Sequence, residues 1–321
     1  MTIRRLWATV ALAVATGLSL SACGAQDGPA TSSATPNATG SSAAGEALDV
    51  AVVTPYLANA STKQVIDLFQ ADAEKRGWSV NVVDTAGDMN KLNSAFQDAA
   101  AQGPDAIVLG MGDPTQISLG LKAAGDAQIP VFAIDAAPAD GILANVTSDN
   151  TDLGRQSATA LEEAMGGTGS VVMLTHDPHP GVRARAEGAR ALFQEKGITV
   201  LEAKHVEVPG PVDNARAAVQ DLLTARGDEI TGIWGGWDEP ALGATQALVA
   251  AGQNDVKVVG VDGQDFALAE IDKAGPFVAT VKQDWPAIAT TVADLIQAKV
   301  VDGTDPAEKN VQLPGTLVTR G

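Results

Sequence analysis

Two aspartates close apolar runs in matching surroundings. Pro130-Val-Phe-Ala-Ile-Asp135 and Val256-Lys-Val-Val-Gly-Val-Asp262 each end on a carboxylate. Each follows a similar upstream segment, Ala106-Ile-Val-Leu-Gly-Met-Gly-Asp113-Pro114 or Gly232-Ile-Trp-Gly-Gly-Trp-Asp238-Glu239-Pro240. The spacing is 22 residues from Asp113 to Asp135 and 24 from Asp238 to Asp262. An ionised carboxylate is a pure acceptor with two oxygens, so it can take the protons of two neighbouring hydroxyls. Such charge-assisted bonds contribute about 1.5–3 kcal/mol each, and a few of them hold a molecule that buries little apolar surface. The chemistry on offer is recognition of a small hydroxyl-rich ligand. The ordinary alternative is that Asp135 and Asp262 cap the turns or helices that follow.

Other chemistries fall away. Gly110-Met-Gly112 begins a dinucleotide fingerprint with Asp135 as its ribose acid, but Thr115 stands where the third glycine is needed. His176-Asp177-Pro178-His179 offers two imidazoles to a metal, yet no further ligand cluster converges on them, and a proline-containing acidic turn accounts for the segment. The chain has one cysteine, Cys23, which excludes an internal disulfide or a cysteine-based zinc site. Neither a phosphate-binding glycine–lysine loop nor a nucleophile elbow is present. No catalytic constellation, cofactor or metal is implied, and the chain does not read as an enzyme.

The elements that must hold these groups alternate with regularity. Strand candidates are Leu48–Val53, Ser79–Val83, Ala106–Leu109, Val131–Ile134, Val171–Leu174, Val200–His205, Gly232–Trp234, Val256–Val261 and Val278–Val281. They are short, rich in Val and Ile, and mostly continuous, the pattern of parallel strands covered on both faces. Between them lie helix candidates Thr62–Arg76, Lys91–Gln102, Gln116–Asp126, Leu153–Met165, Arg183–Lys196, Asn214–Ala225, Pro240–Ala251 and Pro286–Val300. Alternation of this kind means a doubly wound α/β fold. Nine strands and the internal similarity point to two Rossmann-like lobes. In open parallel sheets ligands gather beyond the carboxyl ends of strands, so two facing lobes would line one cleft with Asp135 and Asp262.

The N-terminus sets the address. Arg4 and Arg5 precede an apolar run from Leu6 to Leu20, too short to span a bilayer comfortably but suited to a secretory leader. It ends in Leu20-Ser21-Ala22-Cys23-Gly24, which resembles the lipobox of bacterial lipoproteins, where the peptidase cuts before a cysteine that carries lipid. Residues 24 to 47 are Ala, Ser, Thr, Gly and Pro with almost no large apolar side chains, and read as a flexible tether. The formal net charge is −18, and loss of Arg4 and Arg5 with the leader takes it to −20. That sign opposes nucleic-acid binding, which gains from cations displacing counterions.

A family resemblance covers nearly all of the chain after the tether. It rests on Val182-Arg-Ala-Arg185-Ala-Glu187-Gly188, Trp237-Asp238-Glu239-Pro240-Ala241-Leu242-Gly243-Ala244, Val258-Val-Gly-Val-Asp262-Gly263 and Ala279-Thr-Val-Lys-Gln283, in this order and spacing. From Leu48 to about Gly303 the chain resembles periplasmic sugar-binding proteins of the ribose-binding type, with the type I two-lobed fold. The resemblance implies three crossings between lobes, near Asp149, Gln283 and Val311. The domains would be a leader 1–22, a lipidated tether 23–47, one lobe from 48–149 plus 284–311, and another from 150–283 plus 312–321. It also implies a monomer that closes on a small sugar or sugar alcohol by hinge motion, docks on an ABC-importer permease, and remains outside the cytoplasm on its lipid. Family binding positions carry over to Asn59, Ser61, Thr62, Asp135, Arg185, Trp237, Asp238, Asp262 and Gln283.

Each position also has a plain structural use. Asn59 suits a helix cap and Arg185 a surface ion pair, while Asp238 and Glu239 suit the first turn of a helix with Pro240 near its start. Trp237, Trp285 and Tyr56 are placed near the cleft, where a ring can stack on C–H faces. The chain departs from the family by carrying Ser61 and Thr62 where aromatic rings are frequent, Ala136 in place of a common arginine, and Trp237 in place of an amide. These changes favour a ligand other than ribose, such as a tetritol or pentitol. A sensor on the same fold is the alternative role, while a transcription regulator is excluded by the leader, the tether and the acidic charge.

Overall fold

The computed structural model describes residues 47–320. The leader, Cys23 and all but the last residue of the expected tether lie outside the described residues. Two six-stranded sheets organise the rest. The first contains β1 (Asp49–Thr54), β2 (Ser79–Asp84), β3 (Ala106–Gly110), β4 (Val131–Ile134), β5 (Ala144–Ser148) and β11 (Asn310–Leu313). Their order is β11-β5-β4-β3-β1-β2, all parallel. The second contains β6 (Ser170–Thr175), β7 (Thr199–His205), β8 (Gly232–Gly235), β9 (Lys257–Asp262), β10 (Phe277–Lys282) and β12 (Thr316–Thr319), in the order β12-β10-β9-β8-β6-β7. Only β12 runs antiparallel to its neighbour.

Central strands β3, β4 and β8 are buried along their whole length, which is why their sequences are unbroken apolar runs. Helices cover both faces of each sheet. Helices α1 (Ala60–Lys75) and α9 (Trp285–Val300) pack together on one face of the first sheet, and α2 (Met89–Gln102) and α3 (Ser118–Asp126) on the other. On the second sheet, α4 (Asn150–Ala164) pairs with α5 (Pro180–Lys196). Opposite them lie α6 (Pro211–Arg226), α7 (Asp238–Ala251) and α8 (Asp265–Asp272). Each lobe is thus a three-layer doubly wound unit with its own apolar core.

The chain passes between sheets after β5 at Asp149, after β10 at Gln283–Asp284, and between β11 and β12 at Pro314–Gly315. The last crossing falls beyond the expected Val311, because Val311 to Leu313 pair with Val146 to Ser148 in the first sheet. Other differences have local causes. Strand β5 escapes the apolar pattern because Asn145, Thr147 and Ser148 are polar yet buried. Helix α5 begins at Pro180 rather than Arg183, since His179 caps it by accepting the Val182 amide and Pro180 opens its first turn. Arg185 therefore sits in the second turn. Trp285 does not reach the cleft: it opens α9 and is packed in the core of the first lobe.

One close approach positions Arg185. A Cβ at Gly154 would overlap the Arg185 carbonyl oxygen, and one at Gly188 would overlap that of Thr151. The two glycines let α4 and α5 touch backbone to backbone. Gly154→Ala is expected to force the helices apart, lowering stability by about 1–3 kcal/mol in urea unfolding. A change under about 0.5 kcal/mol would show that the contact is not constrained.

Candidate ligand-binding cleft

The lobes meet across a cavity with about 340 Å³ of space between protein atoms. Its lining includes seven of the nine residues carried over from sequence: Asn59, Ser61, Thr62, Asp135, Arg185, Trp237 and Asp262. Asn59 precedes α1 but makes no side-chain cap bond, so its amide is left for the cavity. Asp135 and Asp262 follow or end strands β4 and β9, with φ of 44° and 127°, values that L-residues rarely adopt. Such backbone costs on the order of 1–3 kcal/mol and persists where surrounding contacts impose it.

Arg185 ties both carboxylates together. Its Nη2 lies 3.3 Å from Asp135 Oδ2 in the opposite lobe, and its Nη1 lies 3.2 Å from Asp262 Oδ1. The guanidinium also donates to Asn150 Oδ1 at 2.6 Å and to the Gly236 carbonyl at 3.1 Å. Thr147 and Asn150 donate to Asp135 Oδ1 at 2.5 and 3.1 Å. Burial works against ionisation of Asp135, but Arg185, His179 and these two donors outweigh it and hold the carboxyl below its ordinary value. Asp262 goes the other way. Burial pushes it up to about 6, with repulsion from Asp135 adding to the rise and Arg185, Gln283 and Ser61 opposing it.

Asp238 and Gln283 do not line the cavity, and their expected direct contact is corrected to a supporting one. Gln283 is wholly buried and donates from Nε2 to Asp262 Oδ1 at 2.8 Å. Asp238 accepts from Thr280 Oγ1 at 2.7 Å and from the Gln264 amide at 2.8 Å. Burial and the nearby Asp262 raise its pKa well above the ordinary carboxylate range. Both side chains face their own lobe's interior.

Tyr56, Met111, His176, His179 and Val182 complete the lining. Tyr56 is the only tyrosine in the chain, and all three of its histidines fall between positions 176 and 205. That concentration was the available signal for the histidines. His176 Nδ1 is 3.0 Å from the Val206 carbonyl, which can only accept, so the ring proton sits on Nδ1. Nε2 then accepts from the Tyr56 hydroxyl at 3.1 Å across the cleft. Burial lowers the His176 pKa. His179 Nδ1 accepts the Val182 amide at 3.3 Å, which leaves Nε2–H facing Asp135 Oδ2 at 3.9 Å. Burial drives His179 down to about 4 against the pull of Asp135, helped by the positive charge of Arg185. Both imidazoles are neutral near pH 7. The Trp237 ring meets His176 edge-on at 6.0 Å and Tyr56 meets the same imidazole edge-on at 5.6 Å, so aromatic rings from both lobes line the cavity beside the carboxylates and Arg185.

Further contacts close the rim. Arg183 pairs with Asp113 at 2.8 Å and Gln264 donates to Gln64 at 2.8 Å, each bond joining one lobe to the other. The geometry is a shut two-lobed cleft with hydroxyl acceptors from both sides.

A periplasmic binding protein domain matches residues 50–305. The chain belongs to the periplasmic binding protein family. The family consists of binding proteins. Its relatives include the ribose import binding protein of Bacillus subtilis, 31% identical over 243 residues, covering 73% of this chain and 77% of that one. The xylitol-binding protein of Mycolicibacterium smegmatis is 26% identical over 285 residues, covering 86% and 75%. Among solved structures, an ABC transporter solute-binding protein from Agrobacterium vitis with bound allitol superposes with a TM-score of 0.78 at 29% identity, covering 85% and 95%. Among the described residues no helix is long and apolar enough to cross a membrane.

The opposite shifts of His179 and Asp262 predict opposite pH responses. A depressed histidine contributes stability that is complete above its unfolded value of about 6.5 and drains away as pH falls toward about 4. A raised aspartate costs stability at high pH and returns it as pH falls through about 6. The two windows overlap and partly cancel. Relative to the unsubstituted protein, His179→Gln is expected to gain on the order of 1–3 kcal/mol between about pH 7.5 and pH 4.5, and Asp262→Asn to lose a similar amount. Urea unfolding at the two pH values measures both differences, and a change of the same sign in both variants would contradict the assignment.

Proposed function

We propose that this protein is the substrate-binding lipoprotein of an ABC importer, capturing a small sugar or sugar alcohol between its lobes. The observation that carries the reading is the convergence of Asp135 from one lobe with Asp262 and Arg185 from the other on a single cavity. A molecule seated there bridges the lobes, so its binding energy favours the shut state. Relatives named for ribose and xylitol, and a neighbour holding allitol, support the ligand class.

The charges support an uncharged ligand. Two carboxylates face one guanidinium, and four of the five N–H donors of Arg185 are engaged by protein acceptors. An anionic sugar would meet repulsion from both, and among the described lining residues Arg185 is the only arginine or lysine to offset it. The amide of Asn59 can donate and accept, and the Nε2–H of neutral His179 can donate, as hydroxyls require. The ligand leaves unchanged, as the family of binding proteins to which the chain belongs supports. Cys23 would hold the mature chain on the outer face of the membrane, and the shut form would dock on the permease.

Thermal unfolding with tetritols, pentitols, pentoses and hexoses tests the reading. A matching ligand at about 100 times its Kd adds ~2.7 kcal/mol of stability, and sugar acids or phosphates are expected to add none. Asp135→Asn keeps the side chain's size but removes its charge, and should weaken that ligand at least tenfold, about 1.4 kcal/mol. Stabilisation by no neutral polyol or sugar contradicts the proposal. Cys23→Ser is expected to move the protein from the membrane fraction to the soluble one, and retention on membranes would contradict the lipid anchor.

A further inference from the structure

Helix α1 begins without a cap of its own. Asn59 makes no side-chain bond to it, and its first turn carries no acidic residue. Its leading amide is instead reached from the other lobe: Ala60 N lies 3.4 Å from Glu239 Oε1, a residue 179 positions further along. The second oxygen of the same carboxyl, Oε2, accepts the Trp237 indole N–H at 3.2 Å. Glu239 is not part of the cavity lining, but it joins the Trp237 ring of the cleft to the facing lobe.

We propose that Glu239 is a positioning residue that caps α1 across the cleft when the lobes are shut and, through the same carboxyl, fixes the Trp237 ring. The N-terminus of a 16-residue helix carries unpaired amides and the positive end of its dipole, so an oxygen acceptor brought there stabilises it. Because the acceptor comes from the other lobe, the cap forms on closure and is lost on opening. The indole is held in place by the same event, so ring orientation and lobe closure are coupled.

The surroundings make the carboxyl titrate near neutrality. Burial pushes it up to about 7; Asp262 on β9 adds to the rise, while the Ala60 amide of α1 and the Trp237 indole oppose it. Lys63, the cation in the first turn of α1, is occupied by Asp67 at 2.7 Å. Asp238, next to Glu239 on α7, is itself displaced upward and engaged by Thr280 and Gln264. His176, which packs on Trp237, is held neutral by burial.

The test follows two protons in the intact protein by nitrogen-15 NMR from about pH 5 to pH 9, with no sugar added. The Ala60 amide and the Trp237 indole N–H are expected to titrate together with one midpoint near 7. In Glu239→Gln neither should show that midpoint. Ala60→Pro removes the amide donor at the first helical position, where proline is tolerated, and should raise the midpoint seen at Trp237. Titration of Trp237 without Ala60, persistence of the shared midpoint in Glu239→Gln, or an unmoved midpoint in Ala60→Pro would each overturn the proposal. Sugar binding plays no part in this readout, so failure of the ligand assignment would leave its outcome standing.

Discussion

One guanidinium shared by two carboxylates from opposite lobes governs the cleft. Arg185, Asp135 and Asp262 have side chains no more than 3% exposed, so each charge depends on the others for compensation. Removing one partner of such a buried set typically costs about 3–5 kcal/mol, because the remaining charge is left in a poor solvent. The arrangement therefore tolerates little displacement. It joins two aspartates of positive φ to an arginine that the close glycine-mediated contact of α4 and α5 positions. It also fixes which oxygens remain for a ligand, since Arg185 and the donors behind each carboxylate occupy the rest.

The fold delivers these groups by a simple rule. Parallel strands present their carboxyl ends to one edge of each sheet, and the two edges face each other across the hinge crossings. Asp135 follows β4, Asp262 ends β9, and Asn59 and Trp237 stand at the starts of α1 and α7. Helix starts and strand ends both point into the gap. The rim contacts are few and polar, as suits lobes that must separate. The apolar cores lie within each lobe, so opening exposes mainly polar surface.

Much of this was legible in the sequence because burial on both faces leaves an unambiguous mark. The central strands are continuous runs of Val, Ile and Leu, and the repeated segments ending at Asp135 and Asp262 revealed two comparable lobes. Strand β5 was not legible, because Asn145 is satisfied by Asn310 and Thr147 by Asp135, partners that only the folded chain provides. Asp238 and Gln283 read as ligand contacts because sequence shows proximity to a site and not the direction of a side chain. His176 and His179 read only as part of a proline-containing turn, since their partners, the Val206 carbonyl and the Val182 N–H, are backbone groups with no signature. Trp285 read as a cleft residue from its place beside a crossing, whereas its helix faces the core of the first lobe.

A crystal structure with the polyol or sugar that stabilises the protein most would settle whether the shared guanidinium organises recognition. Ligand hydroxyls should lie within about 3 Å of both Asp135 and Asp262, with Arg185 still joining the two carboxylates. A ligand held by one lobe alone, or an Arg185 that has left either aspartate, would contradict this picture.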